Sequence, residues 1–476
     1  MIPRYPRTLS FLLLLLLGGC VVGPDYQRPE VVLPEQWRVS FADASELSNL
    51  RWWQQLNDPV LDSLLETALQ QNQDIRQAAA RVAQFQGVLT STRSAFYPQT
   101  GYDAEASRNR LSEQAPGFVG GDPYYNLYQA ALGASWQLDL FGRVQRQSEA
   151  AAAQVYASEQ GRRGVLLSVV TGVAAGYVTL RGLDEQRVIA RRTAEQYRDT
   201  LTLFQLRHRY GTVSQLEVSQ IESQYQQALA AIPRIESRIA LQENLLSVLL
   251  GQDPGPIERG LSLAEMPLPR VPSGLPSTLL TRRPDLLQAE YELMAANAQV
   301  GVAESLYYPD ISLSGSIGQG SSELNDLLNG SARLWGLGAS ITGPIFTFGR
   351  IEGQVASAEA ARDAAEARYR QTLFVALQEV NDALTQTQKN QQTYSALERR
   401  TRALREYARL AMMRFESGAA SYLEVLYANT ELFQADLDGV AAQVDQYRAL
   451  ISVYQSMGGG WLDALAEPQS PPGSAL

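Results

Sequence analysis

Apolar positions along this chain follow two rhythms, and each rhythm occurs twice. Tyr128, Ala130, Leu132, Ala134, Trp136, Leu138 and Leu140 alternate with Gln129, Ala131, Gly133, Ser135, Gln137 and Asp139. Strict alternation predicts a strand with one apolar face and one small or polar face. The same reading applies to Trp335, Leu337, Ala339 and Ile341 against Gly336, Gly338, Ser340 and Thr342. Each strand has an upstream partner. Thr100, Tyr102, Ala104 and Ala106 alternate with Gly101, Asp103, Glu105 and Ser107, and Ile311, Leu313, Gly315 and Ile317 alternate with Ser312, Ser314 and Ser316. Stretches rich in Gly, Ser, Asn and Asp, about 109–124 and 319–330, join the partners. The pattern therefore predicts two long hairpins.

The remaining sequence is helical and unusually long. No proline falls between Gly142 and Tyr210, and Ala, Gln, Glu and Arg dominate. At ~1.5 Å per residue such a helix approaches ~100 Å. Leu166, Val170, Val173, Tyr177 and Leu180 mark its apolar seam. Beyond a turn at Gly211, Ile221, Tyr225, Ala228, Ile232, Ile235, Ile239, Leu246 and Leu249 keep the four-three spacing of a coiled coil, with polar Gln242 in one slot. Pro233 is expected to kink this return helix near Ile232, where the corresponding later position holds Val440. A second long helix is predicted over 350–415 with its return over 422–457, and shorter helices over 59–95 and 284–306 precede the hairpins. Such long helices cannot be buried in one globular core and must pack beside equals. Ala150 to Ala153, Ala356, Ala358, Ala360 and Ala361 allow that close approach.

These parts form a tandem duplication. Gly142, Gly211, Leu216-Glu217-Val218 and Gly251 recur as Gly349, Gly418, Leu423-Glu424-Val425 and Gly458, each pair 207 positions apart. Phe96-Tyr97-Pro98-Gln99 and Tyr307-Tyr308-Pro309-Asp310 lie 211 apart, so the first hairpin region is four residues longer. The period exceeds those of common solenoids. The layout read from it is a leader (1–19), an N-terminal segment (20–58), repeat one (59–251, hairpin 96–141), a Pro- and Gly-rich linker (252–283), repeat two (284–458, hairpin 307–348) and a tail (459–476).

Composition removes whole classes of chemistry. The formal charge over 476 residues is −10, and −12 once Arg4 and Arg7 leave with the leader. That balance opposes nucleic acid as a partner, because phosphate contacts need a basic surface. Lys389, His208 and Cys20 are each the sole residue of their kind. This leaves no disulfide, no Cys/His metal site, no Cys–His dyad and no P-loop lysine. Gly336-Leu337-Gly338 lacks the third glycine of a dinucleotide loop and lies in a strand, and no Gly-x-Ser-x-Gly occurs. His208, near a helix end, reads as a solvated or capping residue. No catalytic constellation is visible, so an enzyme is not expected.

The N-terminus does carry a signal. Arg4 and Arg7 precede a short apolar run, Phe11 to Leu17, and then Leu17-Gly18-Gly19-Cys20. The run is shorter than the ~20 residues needed to span a bilayer, and the pattern resembles a bacterial lipobox. It implies a lipid on Cys20 as the only non-protein group, and a mature chain starting there. Val21 in second place, rather than Asp, favours the outer membrane. No later stretch reaches 18 consecutive apolar residues, so any crossing must be a closed β-barrel. Four strands are too few, since small barrels need about eight, and open edges are not tolerated in lipid. A membrane reading therefore requires several copies to pool strands. A lipid-anchored coiled-coil spacer would explain the helices but not two matching hairpins.

Together the residues resemble the TolC/NodT-type outer-membrane factors. The marks are Cys20-Val21-Val22-Gly23-Pro24-Asp25-Tyr26, Trp52-Trp53 with Asp58-Pro59-Val60-Leu61-Asp62-Ser63-Leu64, Tyr97-Pro98, Leu140-Phe141-Gly142-Arg143, Phe348-Gly349-Arg350, Arg414-Phe415-Glu416-Ser417-Gly418 and Tyr422-Leu423-Glu424-Val425-Leu426, spread over 17–460. The resemblance implies an α+β membrane protein and a homotrimer. Three chains would give a twelve-stranded barrel continuous with an α-helical barrel, plus a mixed equatorial domain to which 252–283 and the chain ends belong. It implies the exit duct of a tripartite efflux system, with a periplasmic adaptor and an inner-membrane transporter as partners. Drugs or other small toxic compounds are the favoured cargo over secreted protein. It places a gate at Leu216, Glu217, Gln220, Leu423, Glu424 and Tyr427, and adaptor-docking turns at Gly211, Thr212, Val213, Gly418, Ala419 and Ala420. Leu423 matches the family's constricting leucine. Tyr427 stands where an acidic residue is usual, leaving Glu424 or Glu217 to supply negative charge.

Overall fold

The computed structural model describes residues 21–31, 33–39, 41, 51–114, 120–272 and 276–458. Cys20, the leader and the tail 459–476 lie outside the described residues. The chain divides into two compact units that each draw on both repeats. Unit one comprises 1–30, 81–158 and 288–370, and unit two 31–80, 159–287 and 371–476.

Unit one is built on the two predicted hairpins. Strands β1 (Gln99–Arg110), β2 (Tyr124–Leu138), β3 (Asp310–Ser321) and β4 (Arg333–Thr342) form one antiparallel sheet in sequence order. The sheet leaves one long edge of β1 and one of β4 without a strand partner among the described residues. The hairpins share a register: Gln99 faces Ser135, and Asp310, its counterpart one repeat later, faces Thr342, the counterpart of Ser135. The four extra residues of repeat one therefore fall wholly in the loop. Tyr102, Leu132, Ile317 and Trp335 lie side by side across the four strands. They are 86%, 62%, 57% and 72% exposed, so the sheet's apolar face is uncovered by its own chain.

The N-terminal segment is strapped onto this unit. The Val22 amide donates to the Phe141 carbonyl (3.2 Å), and Val21 rests against Gly142. The Arg146 side chain, buried, donates to the Val22 and Gly23 carbonyls at 3.0 and 2.9 Å and pairs with Asp25 at 2.9 Å. Asn297 donates to the Pro24 carbonyl (2.8 Å), while Tyr26 and Arg28 both reach Glu290.

Helices α1 (Pro59–Gln71), α2 (Gln73–Ser94), α3 (Arg143–Arg209), α4 (Gln215–Leu250), α5 (Pro284–Glu304), α6 (Arg350–Glu416) and α7 (Tyr422–Ser456) supply the rest. The main core of unit two gathers Trp52, Leu56, Leu61, Leu65, Val173, Tyr177, Leu180, Leu246, Leu250 and Tyr454. Trp52 stacks on Tyr454 with centroids 5.0 Å apart. Buried Asp58 caps α1 through the Val60 and Leu61 amides, accepts the Tyr177 hydroxyl proton (2.9 Å) and accepts the Leu261 amide (3.0 Å). Tyr177 in turn accepts the Gly260 amide (2.8 Å), so the linker is pinned to the core. Burial pushes the Tyr177 phenol well above its ordinary pKa.

Several expectations need correction. The helix expected over 59–95 is broken at Asn72, whose side chain accepts the Ile75 amide (3.0 Å) and donates to the Leu249 carbonyl (2.8 Å). A side chain that caps the next helix and bonds a distant carbonyl outweighs continuous helical propensity. Strand β2 ends at Leu138, two residues early, because Asp139 turns to accept the Gln145 amide at the start of α3 (2.8 Å). Pro233 does not end helix α4, which continues past it to Leu250 with Ile235 and Ile239 buried. Among the described residues one helix, α3, is long and apolar enough to cross a membrane, but most of its apolar stretch is buried inside the protein. Its apolar seam is core, as Val170, Val173 and Leu180 show.

Candidate functional site

The two helix–turn–helix corners both lie in unit two. At the first, α3 ends and Gly211 takes φ +73°. The Gly211 amide donates to the His208 carbonyl (2.9 Å) and the Thr212 amide to the Arg207 carbonyl (3.0 Å), the paired bonds of a Schellman stop. The second corner repeats this with Gly418 at φ +76°, Gly418 to Phe415 (2.9 Å) and Ala419 to Arg414 (2.8 Å). An L side chain would be strained at either glycine. The His208 imidazole lies 3.0 Å from the Val213 carbonyl, so it ties the first corner together.

The corners restart their helices differently. Ser214 and Glu217 form a reciprocal capping box: the Ser214 amide donates to the Glu217 carboxylate (2.7 Å), and the Glu217 amide to the Ser214 hydroxyl (3.3 Å). Ser421 makes no side-chain cap. There Glu424 accepts from Arg414 across the corner instead (2.9 Å). Both carboxylates proposed as sources of negative charge thus have local partners.

Sequence reasoning missed an aromatic clasp. Phe204 of α3, 1% exposed, stacks on Phe415 (6.1 Å) and tilts onto Tyr422 (4.4 Å), which also meet each other edge-on (5.1 Å). A residue of repeat one therefore fills the corner of repeat two. Burial pushes the Tyr422 phenol up to about 12. Val218, Ile221, Val425, Leu426 and Ala428 join this cluster.

The gate candidates sit off that buried face. Leu216, Leu423 and Tyr427 are 67%, 56% and 60% exposed, whereas Glu217, Gln220 and Glu424 are half-buried. Helices α4 and α7 touch through a Thr430–Gln224 hydrogen bond (3.2 Å), so both sets of candidates ride on packed neighbours. Of the turn residues, Gly211, Thr212, Gly418 and Ala419 are exposed, and Val213 and Ala420 are half-buried. Leucines presented to solvent beside tightly stopped turns are suited to meeting other protein surfaces rather than to chemistry.

The sheet completes the picture. One face carries the uncovered apolar row, and the other carries Asp103, Glu105, Ser107, Ser312, Ser314 and Ser340, with the Ser312 and Ser340 hydroxyls 2.8 Å apart. Apolar-out and polar-in alternation is what a water-filled barrel in lipid demands.

Comparison with known proteins bears on this arrangement. The family profile described as outer membrane efflux protein matches residues 64–252 and 275–459. A solvent efflux pump outer membrane protein, SrpC of Pseudomonas putida, is 32% identical over 96% of this chain and 98% of its own. The cation efflux system protein CusC of Escherichia coli is 32% identical over 96% and 99%. The open state of the Neisseria gonorrhoeae MtrE outer membrane channel superposes with a TM-score of 0.83 at 29% identity, covering 93% of this chain and 99% of that one.

Proposed function

This chain belongs to the outer membrane efflux protein family, and we propose that it forms the exit duct of a tripartite pump as a homotrimer, with three copies pooling four strands each into a twelve-stranded barrel. The observation that carries the reading is the sheet, which among the described residues has four strands, two open edges and an uncovered apolar face. Such a sheet is untenable in lipid until copies join edge to edge. The helical corners then form the periplasmic entrance. Gly211, Thr212, Val213, Gly418, Ala419 and Ala420 receive a periplasmic adaptor, and Leu216, Gln220, Leu423 and Tyr427, with Glu217 and Glu424 behind them, constrict the path. Cys20 carries the lipid that joins the barrel in holding the protein to the membrane. The duct is passive, so an inner-membrane transporter supplies energy.

Small compounds are the cargo in this reading, because the relatives are named for solvents and cations. Those two relatives are equally similar to this chain, so the transporter rather than the duct selects the cargo. The test is a purified trimer in a planar bilayer, with migration compared between heated and unheated gel samples. A heat-modifiable oligomer with discrete conductance is expected, rising when Leu216 and Leu423 are both replaced by Ser. A monomer without conductance would overturn the duct. Unchanged conductance in the double variant would remove these leucines from the gate.

A further inference from the structure

We propose that the loop end of the sheet's lipid-facing side, built by Arg108, Arg110 and Tyr124 with Arg333 on β4, binds the phosphates of an anionic glycolipid in the outer leaflet of the membrane. The inference rests on the barrel reading and adds a ligand to a face that reading leaves bare.

Charge is sorted by sign between the two faces of the strands. The side that carries Tyr102, Leu132, Ile317 and Trp335 has Arg108, Arg110 and Arg333 as its charged residues, all cationic. The opposite side has Asp103, Glu105 and Asp310, all anionic. Charges placed only for solvation would have no reason to divide this way. The arginines are sorted along the strands as well. Arg108 and Arg110 close β1 and Arg333 opens β4, so all three stand where strands meet the hairpin loops rather than the helices. In an outer-membrane barrel the longer loops lie outside. At ~3.3 Å per residue and a tilt of ~40°, Arg108 stands ~20 Å beyond Thr100, near the edge of an apolar band ~25 Å tall. Between them this side of β1 holds no charge. An arginine is costly at mid-bilayer but nearly neutral at the interface, where it meets headgroups.

The local geometry suits a phosphate. The Arg108 and Arg110 guanidinium carbons both lie 5.7 Å from the centre of the Tyr124 ring, which is exposed. One ring thus holds two cations, and each planar guanidinium can donate two parallel hydrogen bonds to phosphate oxygens. Arg110 also pairs with Glu113 (2.9 Å), with both side chains more than half exposed, a weak surface pair that a phosphate can displace. Among the described residues neither Arg108 nor Arg333 has a carboxylate partner. Of the other loop carboxylates, Asp122 accepts the Tyr124 amide (3.0 Å) and Asp326 the Asn329 side-chain amide (2.8 Å), while Glu323 lies on the second hairpin. Ala104, Ala106 and Ala130 continue the same side away from the loops. Cations above a smooth apolar strip fit an amphipathic ligand, with phosphate against the arginines and acyl chains along the alanines, better than a free anion.

Lipid binding to the full chain in nanodiscs of neutral phosphatidylcholine tests this, with bound lipid counted by native mass spectrometry and assembly checked on unheated gels. Diphosphorylated lipid A should bind roughly tenfold or more tighter than its dephosphorylated form. Arg108→Gln with Arg110→Gln should weaken it by about fivefold per arginine removed, and raising salt should shrink the difference. Arg333→Gln should weaken it less, because that arginine lacks the Tyr124 ring. Arg402→Gln on α6 corrects for net charge and should change nothing. Arg108→Lys with Arg110→Lys should keep most of the affinity. If that lysine pair binds as weakly as the glutamine pair, charge is not what holds the lipid and the site falls. Equal binding of both lipid A forms, or full binding by the glutamine pair, also overturns the site, and an intact oligomer then leaves the duct standing. If phosphatidylglycerol binds as tightly as lipid A, or inorganic phosphate displaces lipid A at constant ionic strength, the glycolipid is not the ligand and the proposal falls. Absence of any oligomer overturns the duct and, with it, this face as lipid-facing.

Discussion

The corner at Gly211 and the corner at Gly418 began as one design and are now held by different forces. Their backbone stops are identical, so the duplicated glycines still fix the same turn. The first corner has its own polar ties: Ser214, Glu217 and His208 bond within a few residues of the turn. The second relies on Phe204 of the other repeat and on the Arg414–Glu424 pair spanning its own turn. Local caps resist disturbance elsewhere, whereas a borrowed aromatic makes one corner register movement in the other. The difference predicts that the second corner is the more readily released of the two.

The largest expected effect follows from removing the borrowed ring. Phe204→Ala should cost about 3–5 kcal/mol, as for other buried aromatic truncations, and hydrogen exchange should quicken chiefly around Phe415 and Tyr422. A loss spread evenly over both corners, or one below ~1 kcal/mol, would break the contrast. Next, Ser214→Ala should cost ~1 kcal/mol, the usual value of a helix cap, while Ser421→Ala should be nearly neutral because that serine caps nothing. Denaturant unfolding followed by circular dichroism compares them, and equal losses would show the second corner to be capped after all. The smallest effect belongs to the ion pair. Arg414 is 57% exposed, so Arg414→Gln should cost at most ~1 kcal/mol, a difference that fades at high salt. A salt-independent loss would assign Arg414 another role.

The strands and long helices were legible because their periods are undiluted over many residues. Residues 128–140 alternate almost without exception, and 143–209 offer no helix breaker. What escaped the sequence depends on tertiary partners. Gln71-Asn72-Gln73 looks like polar helix, and only the Leu249 carbonyl and the Ile75 amide reveal a break. Arg146 is one arginine among many on α3, and nothing in its neighbours announces that it holds the N-terminal segment. A signal did exist: its counterpart is Gly353, with open space around it. A bulky charge opposite a glycine at matched positions marks where the repeats diverge. Phe204 has Ala411 as counterpart, again a clue visible only by setting one repeat against the other. The gate candidates come from the family resemblance and not from periodicity, and the partners of Glu217 and Glu424 were not legible in the sequence.

One consequence follows from the equal hairpin registers. Because the four additional residues of repeat one sit entirely beyond the last shared strand pairs, length can be gained or lost there without disturbing any pairing. That loop tip is therefore the natural place to graft a reporter peptide.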